Sequence, residues 1–235
     1  MLNVPTHRSL LSSYYLVAFL ALFAPAVVGQ DINGQTFTHG LAIIDAPAPS
    51  SPGHAGSPLP IAVDVSGDGK IQAAASVPGS GLSTRFDALE IYLVSSQTNI
   101  NMTVSDTPDF LTGESGSTVK HLNWPVPTCL TAGNYNLTFY ETSHFNGQAV
   151  FTITPILVPI LNSSPPGQCN SSVLNSLQSQ PQPSNPLTQS PFAPNSSTPV
   201  STSGTSGSGR ITATGPSPAL VFLSLFVSSV YFHRA

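Results

Sequence analysis

The residues that could do chemistry in this chain are few and widely spaced. Four of the six histidines lie away from the chain ends, and none has a partner at i,i+2 or i,i+4: His39, His54, His121 and His144. Short motifs that bind metals usually place their ligands at such fixed spacings. We therefore expect no metal and no cofactor. In the alternative, a secreted metalloenzyme, His39, His121 and His144 would have to converge within about 10 Å.

Two pairs of acidic residues, Asp87 with Glu90 and Asp106 with Asp109, could act as acid and base in a glycosidase. In a strand, a spacing of three places two side chains on opposite faces, which argues against joint action. Residues 64–69 contain two aspartates, but they lack the spacing of a calcium loop and predict a turn. With no Gly-x-Ser-x-Gly motif either, we expect a protein that is not an enzyme.

The apolar start of the chain is typical of a secretory signal peptide. A short polar segment precedes a mostly apolar run at residues 16–28, and Val27, Val28 and Gly29 suit the cleavage site. We predict that residues 1–29 are removed by cleavage after Gly29. The first residue of the mature chain would then be Gln30.

The other end combines small residues, a polar spacer and a terminal apolar run, which are the parts of a glycosylphosphatidylinositol (GPI) attachment signal. The run at residues 219–232 would span about 21 Å as a helix, less than the roughly 30 Å of a bilayer core. We predict attachment at Ser206, or at Gly207, with residues 207–235 removed. A single membrane span is the alternative, and Arg234 would suit its cytoplasmic end.

Between these ends, short alternating apolar segments separated by Gly, Pro, Asn and Asp predict an all-β domain over residues 30–162. The segments are 36–45, 59–66, 70–76, 86–95, 98–104, 118–124, 134–141 and 149–161, with Asn146-Gly147 as a hairpin turn. About seven strands at this spacing favour an immunoglobulin-like sandwich of two sheets. Tyr135, shortly after Gly133, resembles the tyrosine corner of such folds.

Composition also predicts a disulfide and a stalk. In an oxidising compartment Cys129 and Cys169 would pair, which contributes roughly 4 kcal/mol in the chain-entropy model; free thiols or an intermolecular bridge are the alternative. Residues 163–206 are rich in Ser, Thr and Pro and contain no charge, which predicts a disordered, O-glycosylated stalk. A net charge of −4 with 7% charged residues gives no basic surface for nucleic acid.

Five Asn-x-Ser/Thr sequons predict N-glycosylation, at Asn101, Asn136, Asn162, Asn170 and Asn195. Asn101 and Asn136 both fall on the outward phase of their predicted strands, as a glycan requires. Exposed aromatic residues such as Tyr92, Tyr140 and Trp124 could form a platform for sugars. We favour a packing role for them, since alternating strands bury such side chains.

Three segments carry a family resemblance: Ile43-Ile-Asp-Ala-Pro-Ala-Pro, Gly56-Ser-Pro-Leu-Pro-Ile-Ala-Val, and Gly133-Asn-Tyr-Asn-Leu-Thr-Phe-Tyr with its return strand Phe151-Thr-Ile-Thr-Pro155. They resemble the fungal Ser/Thr-rich, GPI-anchored surface proteins with an N-terminal immunoglobulin-like sandwich, including yeast proteins of cell-wall β-glucan synthesis. The resemblance implies a non-enzymatic role at the outer plasma membrane or cell wall, reached through the secretory pathway. A carbohydrate-binding module or adhesin is the alternative, with wall polysaccharide or surface glycans as partners.

Overall fold

The computed structural model of the chain describes residues 29–105, 109–164, 167–197 and 200. Their ten strands form two five-stranded sheets, which confirms the predicted all-β sandwich. In chain order the strands are β1 Gln30–Ile32, β2 Gln35–Phe37, β3 Ile43–Ala46, β4 Gly53–His54, β5 Pro58–Asp64, β6 Arg85–Ser95, β7 Ile100–Ser105, β8 Val119–Pro125, β9 Gly133–Phe145 and β10 Gln148–Leu161. Residues 1–28 of the predicted signal peptide, Ser206 and Gly207 lie outside the described residues.

The first sheet has the order β1-β2-β3-β5-β8 and the second has the order β4-β10-β9-β6-β7. All strand pairs are antiparallel except that of β4 with β10. Strands β5 and β8 occupy the B and E positions of an immunoglobulin-like sandwich, and β10, β9, β6 and β7 occupy G, F, C and C′. A four-residue helix, α1 Asp109–Thr112, stands between β7 and β8 in the chain.

The core between the sheets follows directly from side-chain alternation. On β6, Leu89, Ile91 and Leu93 have no measurable exposure, and on β9 Leu137 and Phe139 are equally well covered. Burying each such side chain stabilises the fold by about 1.5–3 kcal/mol. The alternating segments predicted at residues 86–95 and 134–141 are therefore confirmed as strands with one buried face.

Two predicted strands differ in the structure. The segment 36–45 is divided into β2 and β3 by a loop at residues 38–42, where Thr38 turns the chain back by bonding the Ala42 carbonyl through both its amide and its hydroxyl. The segment 70–76 instead contains a 3-10 helix at Ala73–Ser76. Three successive alanines have little preference for a strand, and their small side chains suit a tight turn.

The predicted hairpin and tyrosine corner are both present. Asn146 and Gly147 join β9 to β10 with φ values of 51° and 85°, as a two-residue turn of this kind requires. The ring of Tyr135 is buried, and its hydroxyl donates to the Thr131 carbonyl at 2.9 Å. This bond fixes the chain where it enters β9.

The predicted disulfide is formed. Cys129 and Cys169 are joined, with their Cα atoms 5.0 Å apart. Asn162 reinforces the same end of the sandwich, because its side-chain amide donates to the carbonyls of Thr128 and Leu130. The chain that leaves β10 is therefore tied back to the segment that precedes β9.

Candidate functional site: an aromatic face and the strap that covers it

Three aromatic rings form a row on the outer face of the second sheet. Tyr92 on β6, Tyr140 on β9 and Phe151 on β10 are each partly exposed. The centroids of Tyr92 and Tyr140 lie 5.4 Å apart in an edge-to-face arrangement, and those of Tyr140 and Phe151 lie 6.4 Å apart. They meet because β6, β9 and β10 are neighbours, and their residues on this face lie side by side or on a diagonal.

The two tyrosine hydroxyls give this row a polar edge. That of Tyr92 donates to Glu90 Oε2 at 3.1 Å, and that of Tyr140 donates to Gln182 Oε1 at 2.8 Å. Burial raises the pKa of Tyr140, the bond to Gln182 opposes the rise, and the charge of Glu90 adds to it. Rings with an apolar body and a polar tip are suited to amphipathic ligands.

Part of the expected stalk crosses this face. We call residues 174–193 the strap. It begins at the edge of β7, where Leu174 forms a bridge with Met102 and the Asn175 amide donates to the Asn101 carbonyl at 2.7 Å. Gln182 then bonds Tyr140, and further on Asn185 exchanges two backbone bonds with Phe151, of 3.2 and 2.8 Å.

The far end of the strap continues past β10. The Leu187 amide donates to the His39 carbonyl at 2.8 Å, and the Leu187 carbonyl lies 2.9 Å from His39 Nδ1. Phe192 is then 1% exposed and packs on Gly67, where an added Cβ would lie 2.6 Å from the ring. The structure thus departs from the expectation of a stalk that begins at residue 163. Backbone hydrogen bonds and one buried ring hold a segment whose composition contains few apolar residues.

The loop that receives Phe192 also supplies a charged partner. Lys70 Nζ donates to the Phe192 carbonyl at 2.9 Å and lies 6.0 Å from the centre of the ring. Within this loop, the Asp64 carboxylate accepts from the amide and hydroxyl of Ser66 and from the Asp68 amide. The turn predicted at residues 64–69 is confirmed, and its aspartate binds backbone groups.

A buried carboxylate, which the sequence did not reveal, fixes the loop at residues 38–42. Glu141 is 1% exposed and lies on the inner face of β9. It accepts from the amides of Leu41 and Ala42 and from the Ser143 hydroxyl, at 2.6 to 3.1 Å. The Thr38 hydroxyl shares its single proton between Glu141 and the Ala42 carbonyl. Four donors replace the water that this carboxylate loses on folding. Since His39 lies in the same loop, Glu141 also supports the contact with the strap.

Arg85, Asp87 and His144 form a cluster of ionisable side chains. Asp87 accepts from Arg85 Nε at 2.8 Å and lies 2.6 Å from His144 Nδ1. A bulge between Phe86 and Ala88 inserts Asp87 as an extra residue opposite β9. The bulge places Asp87 on the outer face with Glu90, contrary to the opposite faces that a regular strand predicts. His144 Nε2 is 3.4 Å from Arg85 Nη2, so both ring nitrogens face partners.

A shallow groove of about 370 Å³ lies beside Lys120. The Lys120 side chain is 3% exposed, and its ammonium donates to the carbonyls of Gly113 and Glu114 at 2.8 and 3.0 Å. Next to it, the bond from His121 lowers the pKa of the exposed Glu114. These contacts secure the loop between α1 and β8.

The sequon asparagines lie in different surroundings. Asn136, Asn170 and Asn195 are exposed, whereas Asn162 is half-buried and holds two carbonyls near the disulfide. Asn101 is 6% exposed because the strap covers it. Register confirms that Asn101 and Asn136 share the outer face, with Val94 between them.

The remaining predicted residues are scattered or buried. Trp124 is 7% exposed and opposite Leu59 in the core, so it is not part of the aromatic row. Among the described residues, no group of three or more His, Cys, Asp or Glu side chains could hold a metal ion. That part of the chain also contains no helix long and apolar enough to cross a bilayer. Sequence alternation indicated Tyr92 and Tyr140, but nothing local pointed to Gln182, Phe192 or Glu141.

Comparison with known protein families gives no match, and comparison with curated proteins gives none in sequence. The aromatic row and its strap are therefore interpreted from their own geometry.

Proposed function

We propose that the chain is a non-enzymatic, glycosylated protein of a fungal cell surface or wall, held there by a GPI anchor, with a structural or wall-organising role. The observation that carries the proposal is the disulfide between Cys129 and Cys169, which closes the exit from the sandwich. Disulfides of this kind persist in secreted and cell-surface proteins. The exposed sequons at Asn136, Asn170 and Asn195 add support, because glycans need accessible asparagines.

Release by phosphatidylinositol-specific phospholipase C tests the anchor. Intact cells that express the full chain should lose it to the medium on treatment, and the released protein should lack residues 207–235 by mass spectrometry. A control chain that ends at residue 202 should be found in the medium with or without the enzyme. Protein that stays with the membrane fraction and still contains Arg234 would contradict lipid anchoring.

A second candidate function, a carbohydrate-binding module or adhesin, is favoured by the aromatic row. Tyr92, Tyr140 and Phe151 place three aromatic rings and two tyrosine hydroxyls together on one sheet face. Apolar rings with polar tips suit the alternating apolar and polar surfaces of a sugar chain. On this proposal a glycan contacts the same face that the strap crosses. The strap would then limit access to the row.

Binding of the phospholipase-released protein to a glycan array tests this second function. Tyr140→Ala should weaken binding to any captured glycan about two- to tenfold, since a ring contact is worth roughly 0.5–1.5 kcal/mol. Thr142→Ala is the matched control, because Thr142 is an exposed residue two positions away on the same face of β9. Equal binding by both variants would remove the row from the recognition surface.

A further inference from the structure

The first contact of the strap is made with a sequon. Asn101, Met102 and Thr103 form one of the five predicted glycosylation sites, and the strap binds all three. The Asn175 amide donates to the Asn101 carbonyl, Leu174 forms a bridge with Met102, and Asn175 Nδ2 donates to Thr103 Oγ1 at 2.9 Å.

The nitrogen that would carry the glycan is itself engaged. Asn101 Nδ2 donates to the Ser176 carbonyl at 2.8 Å. The other end of the amide, Oδ1, is buried and has no hydrogen-bond partner among the described residues. With the residue only 6% exposed, the closed strap leaves no space for a sugar ring at either end of the amide.

We propose that glycosylation of Asn101 and closure of the strap exclude each other, so that this sequon controls access to the aromatic row. In the transfer, Asn101 Nδ2 bonds to C1 of the first sugar of a diphosphate-linked lipid oligosaccharide. The bond between C1 and the diphosphate oxygen breaks, and the amide gives up one proton. The resulting glycan occupies the position of Ser176 and keeps the start of the strap away from β7.

Chain order favours modification before closure. Ser176 follows Asn101 by 75 residues, so the sequon enters the secretory compartment before the strap has been made. A folded chain would present a covered asparagine, whereas a growing chain presents a free one. Molecules that escape the transfer would close the strap, and molecules that receive it would remain open from Leu174 toward Gln182.

Asn136 provides a control on the same outer face of the second sheet. Val94 pairs with Asn101 on one side and with Asn136 on the other, which places the two asparagines about 10 Å apart on one face. Asn136 is exposed, and its glycan can coexist with the strap. We therefore expect a glycan at Asn101 to open the strap and a glycan at Asn136 to leave it closed.

Hydrogen exchange of the full chain, made in a eukaryotic secretory host, tests the proposal. Wild type and Asn136→Gln are separated by Asn101 occupancy, and wild type made while lipid-linked oligosaccharide synthesis is inhibited serves as the unmodified reference. Exchange is measured by mass spectrometry in peptides that contain Asn175. Molecules with a glycan at Asn101 should exchange there on the order of tenfold faster or more than unmodified ones. The unmodified reference, which keeps every contact of the strap and has no glycan at Asn101, should be uniformly protected, and Asn136→Gln should behave as wild type.

Two results would overturn the proposal alone: protection of Asn175 in molecules with a glycan at Asn101, or an Asn101 that is always empty while Asn136 carries a glycan. The inference rests on the proposed secretory route. A chain with no glycan at any of the five sequons would overturn that route and this inference together.

Discussion

Phe139 in the sandwich and Phe192 in the strap are each 1% exposed, yet their surroundings differ. Phe139 lies within a continuous apolar core built from both sheets. Phe192 joins the same apolar core from the strap, where its ring packs on Gly67 and Lys70. The chain before it is held mainly by backbone bonds and by Gln182 and Asn185. Equal burial of the two rings therefore does not require that they unfold together, because a segment held mainly by hydrogen bonds can open locally while the strands stay folded.

The largest expected effect compares these two rings directly. Phe139→Ala should lower the free energy of unfolding by about 3–5 kcal/mol, because it creates a cavity inside the core. Phe192→Ala should lower it less, since the strap can detach while the sandwich remains folded. Urea unfolding measures both losses, and proteolysis within residues 174–193 should increase only for Phe192→Ala. Equal losses would show that strap and sandwich unfold as one unit.

Removal of the disulfide is expected to have the next largest effect. The double variant Cys129→Ser with Cys169→Ser should lose about 2–4 kcal/mol of stability, because the unfolded chain regains the entropy of a long loop. The strap should also exchange its amides faster, since Cys169 is the last fixed point before Leu174. Reduced wild-type protein is the control, and it should match the double variant in thermal unfolding. An unchanged midpoint would contradict a stabilising role.

A smaller effect is expected at Glu141, which links the sandwich to the loop that contacts the strap. Glu141→Gln should lower stability by about 1.5–3 kcal/mol, because an amide nitrogen would face backbone donors in place of a charged acceptor. Glu90→Gln is the control, since Glu90 lies on the outer face and accepts a hydrogen bond from the Tyr92 hydroxyl. Denaturant unfolding of the two variants separates the buried carboxylate from the outer one. Equal unfolding midpoints for Glu141→Gln and Glu90→Gln would contradict the role of Glu141 in holding the loop at residues 38–42.

The smallest expected effect is a pH dependence of stability that comes from Asp45, on β3 of the first sheet. Burial raises the pKa of Asp45, a bond from Gln35 partly opposes the rise, and the charge of Asp64 adds to it. Because the folded state then holds the proton more tightly than the unfolded state, stability falls as pH rises through this window. Asp45→Asn should remove that dependence and be slightly more stable at neutral pH. Thermal unfolding of both proteins between roughly pH 3 and 7, where carboxylates ordinarily titrate, measures this pH dependence. The same dependence in Asp45→Asn as in wild type would contradict the prediction.

Sequence reasoning was most successful where a local rule decides the structure. The phases of β6 and β9 follow from alternation, the turn at Asn146 and Gly147 follows from their tolerance of positive φ, and the Tyr135 corner follows from its position after Gly133. It failed at Asp87, where a bulge changes the face of one residue. The position of such a bulge depends on pairing with β9, and a single strand carries no sign of it.

The alternating segments, the paired cysteines and the turn residues of this chain determined an all-β sandwich with one disulfide, because each acts through a period or spacing that is visible locally. Only the tertiary structure decided that residues 174–193 lie across the second sheet, that Glu141 binds the loop at residues 38–42, and that Asn101 is covered. These contacts join polar groups far apart in the chain. Hydrogen bonding of this kind depends on where strand edges meet in space, which composition does not record.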